Sequence, residues 1–531
     1  VHSVTSALLF VLVTVSTADG DSETFRQAEE NAARANEAFS RCHRFVAGWL
    51  KHADPKTGLI PRNLGSGKDF WNAKDSAADN YPFMVLTAAL TDEPMFRGRM
   101  LDMLRTETKL TSRLDRLPDD YSFAKQGFKE DKPDLGRMIF GGSEYVKDGL
   151  LPLTEWLGPS PWSQRMLGII DDIWKHAPID TRFGRIPSTS QEVNGEMLQS
   201  LSRLYWMTGK KEYLECALRL ADYSLLDHHP TRDEQSIRLR DHGCEILSGL
   251  SEAYLAAHFA APDKKKTYHE PIHAMFDRVL QIGRNEHGLF YNRVNPRTGE
   301  AIDKKCCDTW GYTYNGVYAV YLVDGTESYR DAVRKVLSNL NDHYRNYLWG
   351  HESVIADEYA DSIEGAINLF NREPIPSVAD WIDSEVRVMF DIQKPDGVIE
   401  GWHGDGNFAR TAIMYALWKT QGTSMSPWRE DVRLGASRKG RTLYISLSAR
   451  SPWKGRIVFD KPRHRTFMKL PLDYPRINQF PEWYTPEAGD RYEAVSRGRS
   501  TTYTGRELHD GIPAELLPDA LQLHLSVAPV R

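Results

Sequence analysis

The chain has 531 residues, and 67 Lys+Arg against 73 Asp+Glu give a formal net charge of −6, which leaves no basic excess for a nucleic-acid backbone. Hydrophobic residues make up 41% and aromatics 11%, ample for a large core and too apolar for a disordered chain. At this length the core is divided among two or three domains, or gathered in one toroid or barrel with an appendage.

The first element is the apolar stretch Ala7 to Val15, too short to cross a bilayer and followed by the small residues Ser16-Thr17-Ala18 that a signal peptidase reads. No Lys or Arg precedes it. The expectation is a signal peptide over residues 1–18 and a secreted or periplasmic protein. No later stretch of about 18 uncharged apolar residues occurs, so no membrane span is expected.

From residue 22 to 425 apolar residues recur at helical spacing in about fourteen segments, among them Glu196 to Gly209, Tyr213 to Leu226, Ile246 to Phe259 and Tyr329 to Trp349. Several are apolar on more than one side, as in helices enclosed by others. Tight turns with a glycine and a short extended pair follow Asp54, Asp180, Arg284 and Lys394. Their glycines, 58, 184, 288 and 397, lie 126, 104 and 109 residues apart, about two helical hairpins each. The fold expected is mainly α, an (α/α) toroid of six or seven hairpins.

Beyond residue 428 Arg441 to Ser451, Lys454 to Asp460, His464 to Leu472 and Ala520 to Pro529 alternate apolar and polar residues between Pro and Gly breaks. They predict a small antiparallel, sandwich-like β domain over residues 428–531. The aromatic run Arg476 to Tyr484 reads as an interdomain seam.

Motifs for nucleotides, dinucleotides, c-type haem and the common zinc proteases are absent from the sequence. Five cysteines are too few for a disulfide framework, and Cys42 and Cys216 read as small buried hydrophobes. The sharper signal is Asp241-His242-Gly243-Cys244-Glu245 and Lys305-Cys306-Cys307-Asp308-Thr309-Trp310, each opening a helix, where unpaired N–H groups favour a thiolate. His242, Cys244, Cys306 and Cys307 are a natural tetrahedral zinc set. A disulfide from Cys244 and three inert thiols are the alternatives.

On these motifs the chain resembles the zinc-dependent cysteine β-L-arabinofuranosidases, and more broadly the six-hairpin glycosidases that include unsaturated glucuronyl hydrolases and other uronidases. The resemblance implies zinc on the Cys-Cys pair and on Cys244, with Cys306 attacking the anomeric carbon. This chain departs from it with His242 in place of Glu, and with Asp308-Thr309 where the family has prolines. The acid that protonates the leaving oxygen is then sought in Glu234, Asp241 or Glu245.

A metal-free route needs two carboxylates facing a central funnel, and Asp75, Asp79, Glu144, Asp357, Glu358 and Asp405 supply candidates. Trp402, His403, Asp405, Asn407 and Arg410 join a stacking ring, an acid and polar groups just ahead of a helix. Trp71 beside Asp75 and Asp79 forms a similar cluster, and Trp310 and Tyr314 complete the substrate-binding set. Arg62, Arg137 and Arg410 suit a uronate. The expectation is an exported glycoside hydrolase cleaving a plant or algal polysaccharide fragment, with zinc as candidate cofactor and an oligosaccharide as partner. A metal-free uronidase, a polysaccharide lyase using Tyr314 or His403, and a non-catalytic glycan binder are the alternatives.

Overall fold

The computed structural model describes residues 17–349 and 355–530, so the apolar stretch Ala7 to Val15 lies outside the described residues, as does the side chain of His242. Among the described residues, none of the helices is long and apolar enough to cross a membrane.

Fourteen of the described helices form seven hairpins. The outer helix α1 (Thr17–Leu50) precedes the first inner helix α2 (Tyr81–Thr91), which is entered through a π-helical turn, Ala73–Asn80. Outer and inner helices then alternate through α3 (Leu101–Thr111), α4 (Leu135–Glu144), α5 (Pro161–Lys175), α6 (Gln191–Thr208), α7 (Lys211–Asp222) and α8 (Glu245–Ala260). The alternation continues with α9 (Pro262–Ile282), α10 (Trp310–Asp324), α11 (Glu327–His343), α12 (Ala356–Phe370), α13 (Pro376–Asp391) and α14 (Asn407–Lys419). Even-numbered helices pack side by side in chain order, and α14 returns to α2 while α1 covers both, which closes the ring.

The sequence distinguishes the two layers. Outer α7 buries one stripe, Tyr213, Leu214, Ala217 and Leu220, as a helix half in water does. Inner α8 is buried without a break from Glu245 to Ala257. Inner helices approach so closely that they cross on glycines: a Cβ on Gly195 would stand 2.4 Å from the backbone of Glu245, and one on Gly311 2.3 Å from Cα of Gly365. The four turn glycines have φ of +74°, +111°, +100° and +92° at positions 58, 184, 288 and 397, a region open to glycine. They precede the first, third, fifth and seventh inner helices, so the repeat counted in the sequence belongs to a seven-hairpin ring.

The C-terminal part has two antiparallel sheets. With β1 (Thr423–Ser426), β2 (Val432–Lys439), β3 (Thr442–Ala449), β4 (Trp453–Phe459), β5 (Arg491–Ser496), β6 (Arg499–Thr504), β7 (Ile512–Leu516) and β8 (Gln522–Pro529), the strand orders are β2-β3-β8-β5-β6 and β1-β4-β7. The larger sheet leans on α1, whose Asn31 donates to the carbonyl of Ala436 at 2.9 Å. The strand expected over His464 to Leu472 is not formed. That stretch opens with a helical turn, Arg463–Thr466, and then leaves the sheets, because Met468, Leu470, Tyr474 and Phe480 are buried in the core of the toroid.

The segment that follows plugs the ring. Ile477 packs against Cys244 of the α8 start and Tyr312 of α10. Asn478 donates from its backbone to Glu364 (2.6 Å) and from its side chain to Asp148 (2.8 Å), and accepts from Arg410 (2.9 Å). The seam expected over Arg476 to Tyr484 therefore closes the axis of the toroid.

One outer-layer group makes stability depend on pH. Burial pushes the carboxyl of Glu385 on α13 up to about 7, although Asn346 donates to one oxygen at 2.9 Å, and its other oxygen has no partner. Between about pH 4.5 and 7 the folded chain holds a proton that the unfolded chain has lost, so stability falls as pH rises through that window. Glu385→Gln is expected to gain about 1–2 kcal/mol over wild type at pH 8 and nothing at pH 4, read from urea midpoints.

Candidate functional site

The connections from outer to inner helices are long, and they gather at the end of the ring where the inner helices begin. There they line a funnel of about 400 Å³. Asp75 and Asp79 come from the turn before α2, Glu144 from the end of α4, Lys147 and Asp148 from the π-helical segment Tyr145–Leu150 that continues it, and Asp241 and Glu245 from the start of α8. Asp308, Thr309 and Tyr312 come from α10, Asp357 and Asp361 from α12, and Trp402, His403, Asn407 and Arg410 from the approach to α14. The positive ends of α2, α8, α10, α12 and α14 thus face a lining that is rich in carboxylates, as the helix dipole favours, while Glu144 and Asp148 join it from the far end of α4 and its continuation.

Most of the charges are paired. Asp75 accepts from Arg62 at 2.6 Å and from Asn72, while His403 Nε2 stands 3.8 Å from Asp75 and 3.6 Å from Asp79. Arg240 reaches Asp308 at 3.3 Å and Glu358 at 2.9 Å. Arg410 holds Asp361 (2.6 Å) and Glu364 (3.0 Å), and Asn407 donates to Asp357 at 2.7 Å. Lys147 bridges Asp148 (2.7 Å) and Glu245 (2.6 Å).

Two funnel carboxyls are driven in opposite directions. Burial alone raises Asp75, but the His403 imidazole and the hydrogen bonds from Asn72 and Arg62 outweigh it and hold the carboxyl below its usual range. Burial, aided by Asp357 and Asp241 and opposed by Arg240, pushes Asp308 up to about 6. Behind the wall, burial and the charges of Asp357 and Asp79 push Asp405 up to about 7 against His403 and Arg410, and its Oδ2 has no hydrogen-bond partner. Asp75 precedes the first and Asp308 the fifth of seven inner helices, so they line the funnel from different arcs of the ring.

The cysteines are placed at helix starts as expected, but their chemistry is different. Cys244 donates its S–H to the carbonyl of Asp241 at 2.8 Å, and Cys307 to that of Leu239 at 2.8 Å, so both are thiols. Burial pushes both well above the usual thiol range and outweighs the helix end. Cys306 ends the strand Ala301–Cys306 and accepts from Asn285 at 3.5 Å, away from the funnel lining; burial raises it too. Among the described residues, no group of three His, Cys, Asp or Glu with ligand atoms within 4.8 Å of one another contains a cysteine. The three sulfurs do not fit one zinc ion, and Cys306 is not placed as a nucleophile for a sugar in the funnel. No disulfide joins them either, since all five cysteines are free.

Other expected site residues divide as follows. Asp75, Asp79, Glu144, Asp241, Glu245, Trp402, His403 and Arg410 line the funnel, and Trp402, 67% exposed, offers a ring face on which a sugar can stack. Glu245 is held by Lys147 and Gln199, a structural role rather than that of a proton donor. Glu234 lies outside the funnel and accepts from Gln191 at 3.1 Å. Trp71 is 2% exposed and packs in the core. Trp310 donates to Ser362 (2.8 Å) and Tyr314 to the carbonyl of Gly288 (2.6 Å), both fully buried, so neither touches a ligand in the funnel. Arg137 pairs with Asp119 instead. Asp148, Lys147, Arg240, Asp361 and Glu196 carry no motif in the sequence, and Asp308 stands there only where the arabinofuranosidase pattern has proline.

A larger groove, about 860 Å³, runs along the seam between toroid and sheets. Its acids serve local structure: Asp92 caps a helical turn at Met95, and Asp460 pairs with Arg463.

No known protein family and no curated protein matches the chain. Among solved structures, a family 76 glycoside hydrolase (mannosidase) from Bacteroides thetaiotaomicron is similar at 13% identity and a TM-score of 0.41, over 73% of this chain and 99% of that one. A possible member of glycoside hydrolase family 105 from Salmonella enterica serovar Paratyphi A has 12% identity and a TM-score of 0.40 over 52% of this chain and 81% of that one. Cellobiose 2-epimerase from Bacillus thermoamylovorans has 11% identity and a TM-score of 0.38 over 53% and 86%.

Proposed function

We propose that the protein is a glycoside hydrolase that cleaves an oligosaccharide in the funnel with two carboxyl groups and no thiolate. The reading rests on one observation: Asp308 and Asp75 face one polar funnel with their proton affinities pushed apart, Asp308 up to about 6 and Asp75 below its usual range. Acid–base cleavage of a glycosidic bond needs such a pair, one carboxylic acid and one carboxylate.

In this mechanism Asp308 donates its proton to the leaving oxygen and the bond to the anomeric carbon breaks. Asp75, fixed by Arg62 and Asn72, supports the opposite face of the ring as the base for water or as the nucleophile. Trp402 stacks on a sugar at the mouth. The lyase alternative loses Tyr314, whose hydroxyl is buried and bonded to Gly288. Export, and a plant or algal glycan as source of the substrate, belong to the same proposal.

The test is a pH profile of kcat/KM on a panel of manno-, glucuronyl- and arabinofuranosyl-oligosaccharides. Asp308 must hold a proton, so the rate is expected to fall as pH rises through about 6. Asp75 must be ionised, so the acid limb lies below the usual carboxylate range. A rate that climbs from pH 6 to 8 contradicts the assignment.

A further inference from the structure

We infer that the protein has a site for one divalent, oxygen-liganded cation of the calcium class in the funnel wall, formed by Glu144, Asp148 and Glu196. These carboxylates each offer an oxygen within 4.8 Å of the other two, the spacing of ligands around one ion. Glu144 and Asp148 lie on one face at the end of α4 and line the funnel, while Glu196 of α6 approaches from behind the wall.

Glu196 supplies the second observation. Its side chain is 0% exposed, and neither carboxylate oxygen has a hydrogen-bond partner. The hydroxyl beside it, Ser143, donates to the carbonyl of Phe140 at 2.8 Å and gives the carboxyl only minor support against its burial. A buried acid with both oxygens bare, directed at two further carboxylates, is costly unless a cation joins them. The nearby positive group, Lys147, is engaged by Asp148 and Glu245, and the side chain of Asn478 steadies Asp148 from below at 2.8 Å. Three hard oxygen donors with no sulfur or imidazole select Ca²⁺, then Mn²⁺ or Mg²⁺, over zinc.

The contrast within the molecule supports the choice. The trio Asp75, Asp79 and His403 has Arg62 and Asn72 on Asp75. The trio His269, His273 and Asp324 has Lys265 at 2.6 Å and Tyr254 at 2.7 Å on Asp324. Glu196 accepts no such short bond on either oxygen, and Lys147 acts on it only at a distance.

The experiment uses the full chain, stripped with a chelator and titrated with CaCl2, MgCl2 and MnCl2, with binding read by calorimetry and Tm by thermal scan. Wild type is expected to bind one Ca²⁺ per chain, with Tm rising with the logarithm of its concentration. Glu196→Gln and, independently, Glu144→Gln are expected to abolish that binding while keeping the chelated Tm of wild type, and Asp324→Asn to retain it. No saturable binding of any of the three ions to wild type, or retention of Ca²⁺ by a folded Glu196→Gln, overturns the inference and leaves Glu196 as a buried neutral acid. The readout is ion binding, so it stands or falls apart from the glycosidase reading.

Discussion

Asp308→Asn is expected to lower kcat on the cleaved oligosaccharide by about 10²–10⁴-fold, the usual contribution of a positioned general acid, with KM changed far less. The amide keeps the side chain's shape and its acceptor for the Thr309 N–H, at 2.9 Å, but has no proton to give the leaving oxygen. A substrate with an activated leaving group needs less protonation, so the loss on an aryl glycoside should be smaller than on the natural linkage. Asp75→Asn acts through the other partner: the loss should be as large but should not shrink with a better leaving group if Asp75 activates water. The base limb of the profile vanishes in the first variant and the acid limb in the second. Equal, small losses with both limbs intact would move the chemistry to Asp357 and Asp405.

The second large effect concerns the floor of the ring. Arg203 of α6 is 1% exposed and grips Glu252 with two bonds, of 2.6 and 2.9 Å, while it reaches Glu155 at 3.1 Å and the carbonyl of Ile477 at 3.4 Å. Arg476 joins Glu155 at 3.2 Å, and Tyr474 donates to Glu252 at 2.8 Å, so the plug from the C-terminal part is latched to two inner helices. Removing one partner of a buried pair leaves the others uncompensated. Arg203→Met is therefore expected to cost about 3–5 kcal/mol, seen as a lower urea midpoint. Adding Glu252→Met should recover part of the loss, because the buried carboxylate that was stranded is gone. Additive losses would show that the network is not coupled.

The two layers of the ring were legible because burial leaves its own pattern: one apolar stripe on α7, apolar residues on more than one side of α8. The four glycine turns marked the kind of repeat and left six or seven hairpins open, and the structure has seven. His464 to Leu472 misled because alternation marks any extended chain with one buried side, and here the buried residues face the toroid instead of a sheet. The plug at residues 474–478 depends on contacts hundreds of residues away, such as Asn478 with Asp148, which no local pattern encodes.

The site was half legible. Loops ahead of α2 and α14 drew attention through clustered Trp, His and Asp, and Asp75, Asp79, His403 and Arg410 do meet. A further signal was present: Asp75 and Asp79, Glu144 and Asp148, Asp241 and Glu245, and Asp357 and Asp361 are each four residues apart on inner helices or the turns that open them. Like charges at that spacing repel on one helix face, so four such pairs mark a place where function overrides helix stability. The cysteines misled for the opposite reason. A helix start favours a thiolate only where water or a cation can support it, and Cys244 and Cys307 are sealed in the core with carbonyls as their partners.

The most direct measurement is product release from the oligosaccharide panel by wild type, Asp308→Asn, Asp75→Asn and Cys306→Ser, with new reducing ends and ultraviolet absorbance followed together. Reducing ends without an unsaturated product are expected, lost in both aspartate variants and kept in Cys306→Ser. Loss of activity in Cys306→Ser with the aspartate variants still active would contradict the two-carboxyl mechanism.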